Sequence, residues 1–248
     1  MSVHGERHRV GRTPARRGLF RGALTGAAVA VCAGLAAGAG STVYGSRTRP
    51  HGPRPTTPEA ALRELSAGNL RWRTLHERHP DATRTVRTAL VGGQHPFAVV
   101  LGCVDSRVPP ELVFDQGLGD LMTVRSAGQV LDEAVLGSIA FGVVELGIPL
   151  IVVLGHQSCG AVTAAIRAAE GAWEMPGHMR YLVQQIRPAI DRALVGDARI
   201  DAAVTENVRL VRARLAAEPE LARRIAAGKL AVIGARYELT SQRVRRIG

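Results

Sequence analysis

Short, nearly pure apolar runs, separated by stretches of helical period, dominate this chain from Phe97 onward. Phe97-Ala98-Val99-Val100-Leu101-Gly102 is one run, Asp120-Leu121-Met122-Thr123-Val124 a second and Ile148–Leu154 a third. Runs of this length without polar alternation are expected of strands buried on both faces, as in a parallel sheet. Leu230–Ile233 reads as a late strand that Ala235–Leu239 continues. Leu131–Leu146 and Ser158–Ala169 have helical period, and residues 172–195 and 200–227 read as helical with breaks. Upstream, Thr57-Pro58-Glu59 supplies a capping hydroxyl, a proline at the first helical position and an acid in the first turn. A helix is predicted from there to about His76, with Leu62, Leu65 and Leu70 on one side. Strands alternating with helices predict an α/β fold: a mainly parallel central sheet flanked by helices. Ligands of such sheets bind at the carboxyl ends of the strands.

The first 57 residues follow a different rule. Arg16-Arg17 is followed by Leu19-Phe20-Arg21, then by no charge at all from Gly22 to Ser46, with Ala23–Gly40 rich in Ala, Gly and Val. A basic region, a mild apolar region and small residues in that order match the pattern of a signal peptide, and the arginine pair is similar to the twin-arginine type. That pathway carries already folded proteins, often with a cofactor in place. Eighteen uncharged residues are also just long enough to span a bilayer, although small side chains make a weak span. Residues 1–40 are therefore expected to be a signal peptide or a membrane anchor. Residues 41–57, with Pro50, Pro53 and Pro55, read as a flexible linker, and 58–248 as the folded domain. The protein is expected to be exported, touching a membrane only through an uncleaved leader.

Composition changes this picture in two places. Aromatic residues are only 4% of the chain against 46% hydrophobic overall, so the core must be built from Ala, Val, Leu and Ile. The net charge of +11 would suit a nucleic-acid partner. Residues 1–57, however, hold nine arginines against the single acid Glu6, while the remainder holds 23 basic and 20 acidic groups. The excess belongs to the leader, and no nucleic-acid partner is expected.

The candidate chemistry sits where the strands end. The first apolar run stops at Cys103-Val104-Asp105-Ser106-Arg107, and the third at Gly155-His156-Gln157-Ser158-Cys159-Gly160. In an exported protein, two cysteines taken alone suit a disulfide. Two thiols together with an imidazole at two strand ends suit zinc, and three protein ligands leave a fourth position open for chemistry. Zinc makes its bound water acidic. With two thiolates already neutralising the dication, activity is expected to rise toward alkaline pH. Asp105 is close enough in sequence to Cys103 to aim that water, or to take the fourth metal position and close the site. Arg107 can hold it off in a bidentate pair.

Cys-x-Asp-Ser-Arg followed by His-x-x-Cys resembles the signature of the β-carbonic anhydrases. Val108-Pro109-Pro110-Glu111, Gly119–Gly128 and Gly234-Ala235-Arg236-Tyr237 match the same family, so the resemblance runs from about Thr57 to Leu239. It implies the β-carbonic anhydrase fold and a zinc-dependent, reversible hydration of carbon dioxide to bicarbonate and a proton. It further implies Zn2+ on Cys103, His156 and Cys159, a catalytic dyad of Asp105 and Arg107, and substrate contacts from Gln94 and Gly160. Met122 and Ala127 fall at apolar pocket positions of the family, and a homodimer or higher homo-oligomer with the site at the interface is implied. The family's Arg-Asn-Ala-Gly-Asn turn reads Arg125-Ser126-Ala127-Gly128-Gln129 here, which removes two local hydrogen-bonding groups. Related proteins use the same ligand set to hydrolyse carbonyl sulfide or carbon disulfide. A non-catalytic zinc or bicarbonate-binding protein and a disulfide-bonded binding module are the contrasting classes. His76, His79, His95 and His178 are available as proton carriers but are expected to be surface or structural residues.

Overall fold

The computed structural model describes residues 54–80, 82–171 and 176–248. The expected signal peptide or anchor, and the linker up to residue 53, lie outside the described residues.

Among the described residues, five strands form one sheet: β1 (Ala98–Gly102), β2 (Leu121–Arg125), β3 (Leu150–His156), β4 (Ala231–Glu238) and β5 (Arg243–Ile247). Their spatial order is β2-β1-β3-β4-β5. The first four are parallel, and β5 runs antiparallel to β4. The helices are α1 (Pro58–Arg73), α2 (Arg84–Ala89), α3 (Pro110–Val113), α4 (Glu133–Val144), α5 (Gly160–Ala169), α6 (Met179–Ile186), α7 (Gly196–Ala217) and α8 (Pro219–Ala226). The predicted mainly parallel sheet flanked by helices is therefore observed.

Every residue of β1 and β3 is buried, as the unbroken apolar runs require. Alternate side chains then serve opposite faces. Val100, Val152, Leu154 and Ala235 meet Leu65 of α1 and Phe114. Val99, Leu101, Ile151 and Val153 meet Ile139 of α4 and Val208 and Leu215 of α7. Each such aliphatic side chain, fully buried, contributes about 1.5–3 kcal/mol relative to exposure. Helix α7 comes unusually near the sheet because two strand positions lack a side chain. A Cβ on Gly155 would stand 2.5 Å from Val208 Cγ2, and one on Gly234 would stand 2.9 Å from Val208 Cγ1.

The connection after β1 leads to β2 on one side, and the connection after β3 leads toward β4 on the other. Neighbouring strands whose following loops diverge leave a crevice at their carboxyl ends, where α/β sheets bind ligands. The Cys103 and His156 segments open into this crevice.

Several expectations need correction. Helix α1 starts as predicted, with Thr57 Oγ1 accepting from the Ala60 amide, but ends at Arg73 with Thr74 as its cap. Beyond it, Leu75 takes a left-handed conformation (φ 56). The segment is tied back by the Asp115 carboxylate, which accepts from Arg71 and from the amides of Arg78 and His79. Leu70 does not join Leu65 inside; it is 51% exposed. The end of the expected linker is anchored: Arg54 donates to the carbonyls of His95 and Gly119. Among the described residues of 172–195, the helical expectation shrinks to α6 and one 3-10 turn, Arg187–Ala189. Helices α2 and α3 and strand β5 were not foreseen.

Candidate metal centre

Strand β1 ends one residue before Cys103, and β3 ends on His156 itself, two residues later than its apolar run suggested. The turn that follows carries Cys159 back toward Cys103 because Ser158 takes a left-handed conformation (φ 53). A non-glycine residue in that region costs conformational energy and persists where the surroundings enforce it. Helix α5 then starts at Gly160, which is exposed, and a Cβ there would meet nothing.

Ligand atoms of Cys103, His156 and Cys159 all lie within 4.8 Å of one another, and all three residues are buried. The two Sγ atoms are 3.9 Å apart and both cysteines are free. That excludes a disulfide, whose sulfurs stand about 2.05 Å apart, and corrects the disulfide reading. It fits two thiolates on one tetrahedral zinc, where Zn–S bonds of about 2.3 Å put the sulfurs just under 4 Å apart. His156 Nδ1 pairs with the carbonyl of Gln157 at 2.9 Å. Nδ1 therefore carries the proton, and Nε2 presents a lone pair. That Nε2 is buried without a hydrogen-bond partner, a state that costs about 1–3 kcal/mol if nothing binds there. Two sulfurs and an orphaned buried imidazole nitrogen fit zinc.

The two sulfurs are hydrogen-bonded to each other. Cys103 is drawn below the usual thiol range, chiefly by its hydrogen bond with Cys159, with help from His156 and the Gly128 amide, against the opposing effect of burial. Cys159 is pushed above the usual thiol range by Cys103 and by burial. The Gly128 amide donates to Cys103 Sγ at 3.4 Å. Gly128 has φ 66, and a Cβ there would stand 2.7 Å from Ile186 Cδ1, so this position requires glycine.

Asp105 and Arg107 form the expected fork. Arg107 Nε donates to Oδ1 at 2.9 Å, Nη2 to Oδ2 at 2.7 Å and the Arg107 amide to Oδ1 at 3.0 Å. Arg107 Nη2 also reaches the Ser158 carbonyl at 3.3 Å, tying the two loops together. The Arg107 hydrogen bond holds the Asp105 carboxyl down at about 2. Asp105 Oδ2 lies 3.8 Å from His156 Nε2, yet Asp105 is not among the clustered ligand atoms.

Gln94 does not join this site. It is exposed and precedes the amino end of β1, a full strand length from Cys103. Met122 is also displaced from its expected pocket role. It packs into the core facing α4, where a Cβ on Gly142 would stand 2.6 Å from its Sδ. All four available histidines, His76, His79, His95 and His178, are exposed.

Three supporting interactions escaped the sequence reading. Arg125 donates from Nε to the Cys103 carbonyl at 2.8 Å and from Nη2 to the Asp105 carbonyl at 2.7 Å, clamping the loop. Ser126 Oγ donates to the Val130 carbonyl at 2.7 Å, so the turn keeps a side-chain tie where two were expected to be lost. Asn207 of α7 donates to the Gly128 carbonyl at 2.7 Å, holding the residue whose amide meets Cys103.

A sequence profile described as "Carbonic anhydrase" matches residues 98–244. Carbonic anhydrase 2 of Mycobacterium tuberculosis is 44% identical over 196 residues, 76% of this chain and 92% of that protein. Carbonic anhydrase of Mycolicibacterium smegmatis is 42% identical over 191 residues, 76% and 93% of the two chains. Among solved structures, the Coccomyxa β-carbonic anhydrase in complex with acetazolamide is similar at a TM-score of 0.59 and 26% identity, covering 64% of this chain and 75% of that one.

Proposed function

From the premise that this chain belongs to the β-carbonic anhydrase family, whose activity is zinc-dependent, reversible hydration of carbon dioxide, we propose that it works through Cys103, His156 and Cys159 as zinc ligands, with Asp105 and Arg107 as the catalytic dyad. The observation that carries this assignment is the clustering of three buried soft and borderline donors beside a carboxylate already engaged by an arginine.

Zinc there would supply a Lewis acid that makes a water molecule nucleophilic near neutral pH. The protein's own groups do the rest. The His156 ring is fixed by its Nδ1 bond to Gln157. Asp105 stays ionised at any physiological pH and accepts a hydrogen bond from the attacking group, which orients that group's lone pair toward carbon dioxide. Arg107 occupies both carboxylate oxygens, which keeps Asp105 off the metal and the site open. Gly160 leaves backbone access for the product anion.

Two further parts of this reading rest on the sequence. A homodimer would bring Gln94 to a neighbour's site, since within one chain it stands at the other end of β1. Residues 1–40 would export the folded protein through the twin-arginine signal, with membrane attachment only if the leader is retained. Light scattering of the purified protein checks the first, and loss of export in an Arg16→Lys/Arg17→Lys variant checks the second. The catalytic proposal is tested by stopped-flow hydration of carbon dioxide alongside carbonyl sulfide hydrolysis on the same zinc-loaded sample. Hydration dominating supports it; sulfide hydrolysis with no hydration overturns the substrate assignment while leaving the ligand set standing.

A further inference from the structure

A cavity of about 320 Å³ lies between α1 and the β4–β5 edge of the sheet, away from the metal cluster. Its floor is apolar, made by Leu65, Phe114, Val152 and Ile233. Arg73 at the end of α1 and Arg243 and Arg246 on β5 also line it. Among the described residues, none of these three guanidinium groups has a hydrogen bond or ion pair. Asn69, on the same wall, is fully engaged: it donates to the carbonyls of Val113 and Gln242 and accepts from the Val244 amide. The cations alone are left to meet a ligand.

Arginines on an edge strand protect it from pairing with other chains, and Arg245 needs no other reason. Arg73 and Arg246 differ because they approach the cavity from two elements, whereas Arg243 alternates to the Arg245 side of β5 and lines the cavity only at the start of the strand. Arg246 is paired in register with Ala235 and Val244 with Tyr237, both residues of the face that packs on α1. Arg73 approaches from the helix. A buried apolar floor under a cluster of unpaired cations selects for a ligand with the same division.

We propose that this cavity binds a free aliphatic monocarboxylate of roughly ten carbons, a ligand at the small end of what such pockets hold. Its carboxylate pairs with the arginines in guanidinium forks, and its chain covers the apolar floor. A diacyl lipid is too large for the cavity, and a small inorganic anion would leave the floor wet. The inference does not depend on the metal centre.

Calorimetric titration of the zinc-loaded full-length protein tests it, with decanoate below its micellar range, decanol and sulfate as probes. One decanoate per chain is expected, with decanol weaker by about tenfold or more because it cannot replace charge-assisted bonds. The double variant Arg73→Gln/Arg246→Gln, both surface changes, should erase the preference for decanoate over decanol and leave carbon dioxide hydration unchanged. Ser66→Trp, which fills the mouth from the exposed side of α1, should abolish binding of both. Absence of saturable decanoate binding, equal affinity for decanol, or undiminished binding in the arginine double variant would each overturn the proposal.

Discussion

The crevice between β1 and β3 and the cavity between α1 and β5 both gather unpartnered polar groups, but in opposite ways. In the crevice the orphan is His156 Nε2, wholly buried. Leaving it unpaired costs free energy in the folded state itself, so the fold is strained toward a ligand. In the cavity the unpaired groups are arginines at the surface, solvated and nearly cost-free without one. A buried orphan therefore points to a resident metal, whereas exposed cations point at most to an exchangeable ligand. Zinc should be stoichiometric and central to folding of its loops, while the cavity ligand should come and go.

The largest expected effect breaks the crevice side of this contrast. Cys159→Ser replaces a soft anion by a neutral hydroxyl and should lose most of the zinc, measured by metal analysis of the purified variant. Stoichiometric zinc in that variant would remove Cys159 from the ligand set. Next, Arg107→Ala should keep zinc but lower the hydration rate by about a hundredfold or more, the scale of a lost positioned acid–base group. It frees Asp105 to close on the metal. A rate equal to the parent protein's would show that the dyad is not functional.

A smaller effect is expected one layer out. Asn207→Ala leaves the Gly128 carbonyl unpaired in the interior and should destabilise the fold by about 1–3 kcal/mol, read from denaturant unfolding of the zinc-loaded protein. An unchanged midpoint would mean the tie is dispensable. The smallest effect concerns acid. Asp105 sits at about 2 when folded, below the ordinary carboxylate value of about 3.9. Its stabilising contribution is present in full above that ordinary value and is lost as pH falls through about 2. Being at the surface, the pair contributes little. Asp105→Asn should therefore lose its stability difference from the parent protein only below pH 4; a difference that disappears at neutral pH would contradict the assignment.

How much of this was legible follows from where the partners lie. β1, β3 and the ligands they carry were readable because apolar runs and Cys-x-Asp-Ser-Arg are local patterns. β5 was not, since Arg243-Val244-Arg245-Arg246-Ile247 has no apolar run and owes its strand form to pairing with β4. Asn207 was invisible for the same reason: its partner Gly128 is 79 residues away. Met122 failed by the two-residue alternation of a strand, which places it with Val99 toward α4 instead of toward the crevice. Leu70 failed because five residues of helix turn it about 140° away from Leu65, so it reaches only the cavity's exposed side. Arg125 was quoted in the sequence as part of a turn, but only the fold reveals that it holds the carbonyls on both sides of Val104.

The most direct test pairs zinc content with the carbon dioxide hydration rate of the same leader-free protein at pH 7 and pH 8.5. One zinc per chain with hydration that rises at the higher pH is the expected result for a thiolate-rich, open site. No zinc in protein purified reduced, or one zinc with no hydration at either pH, would contradict it.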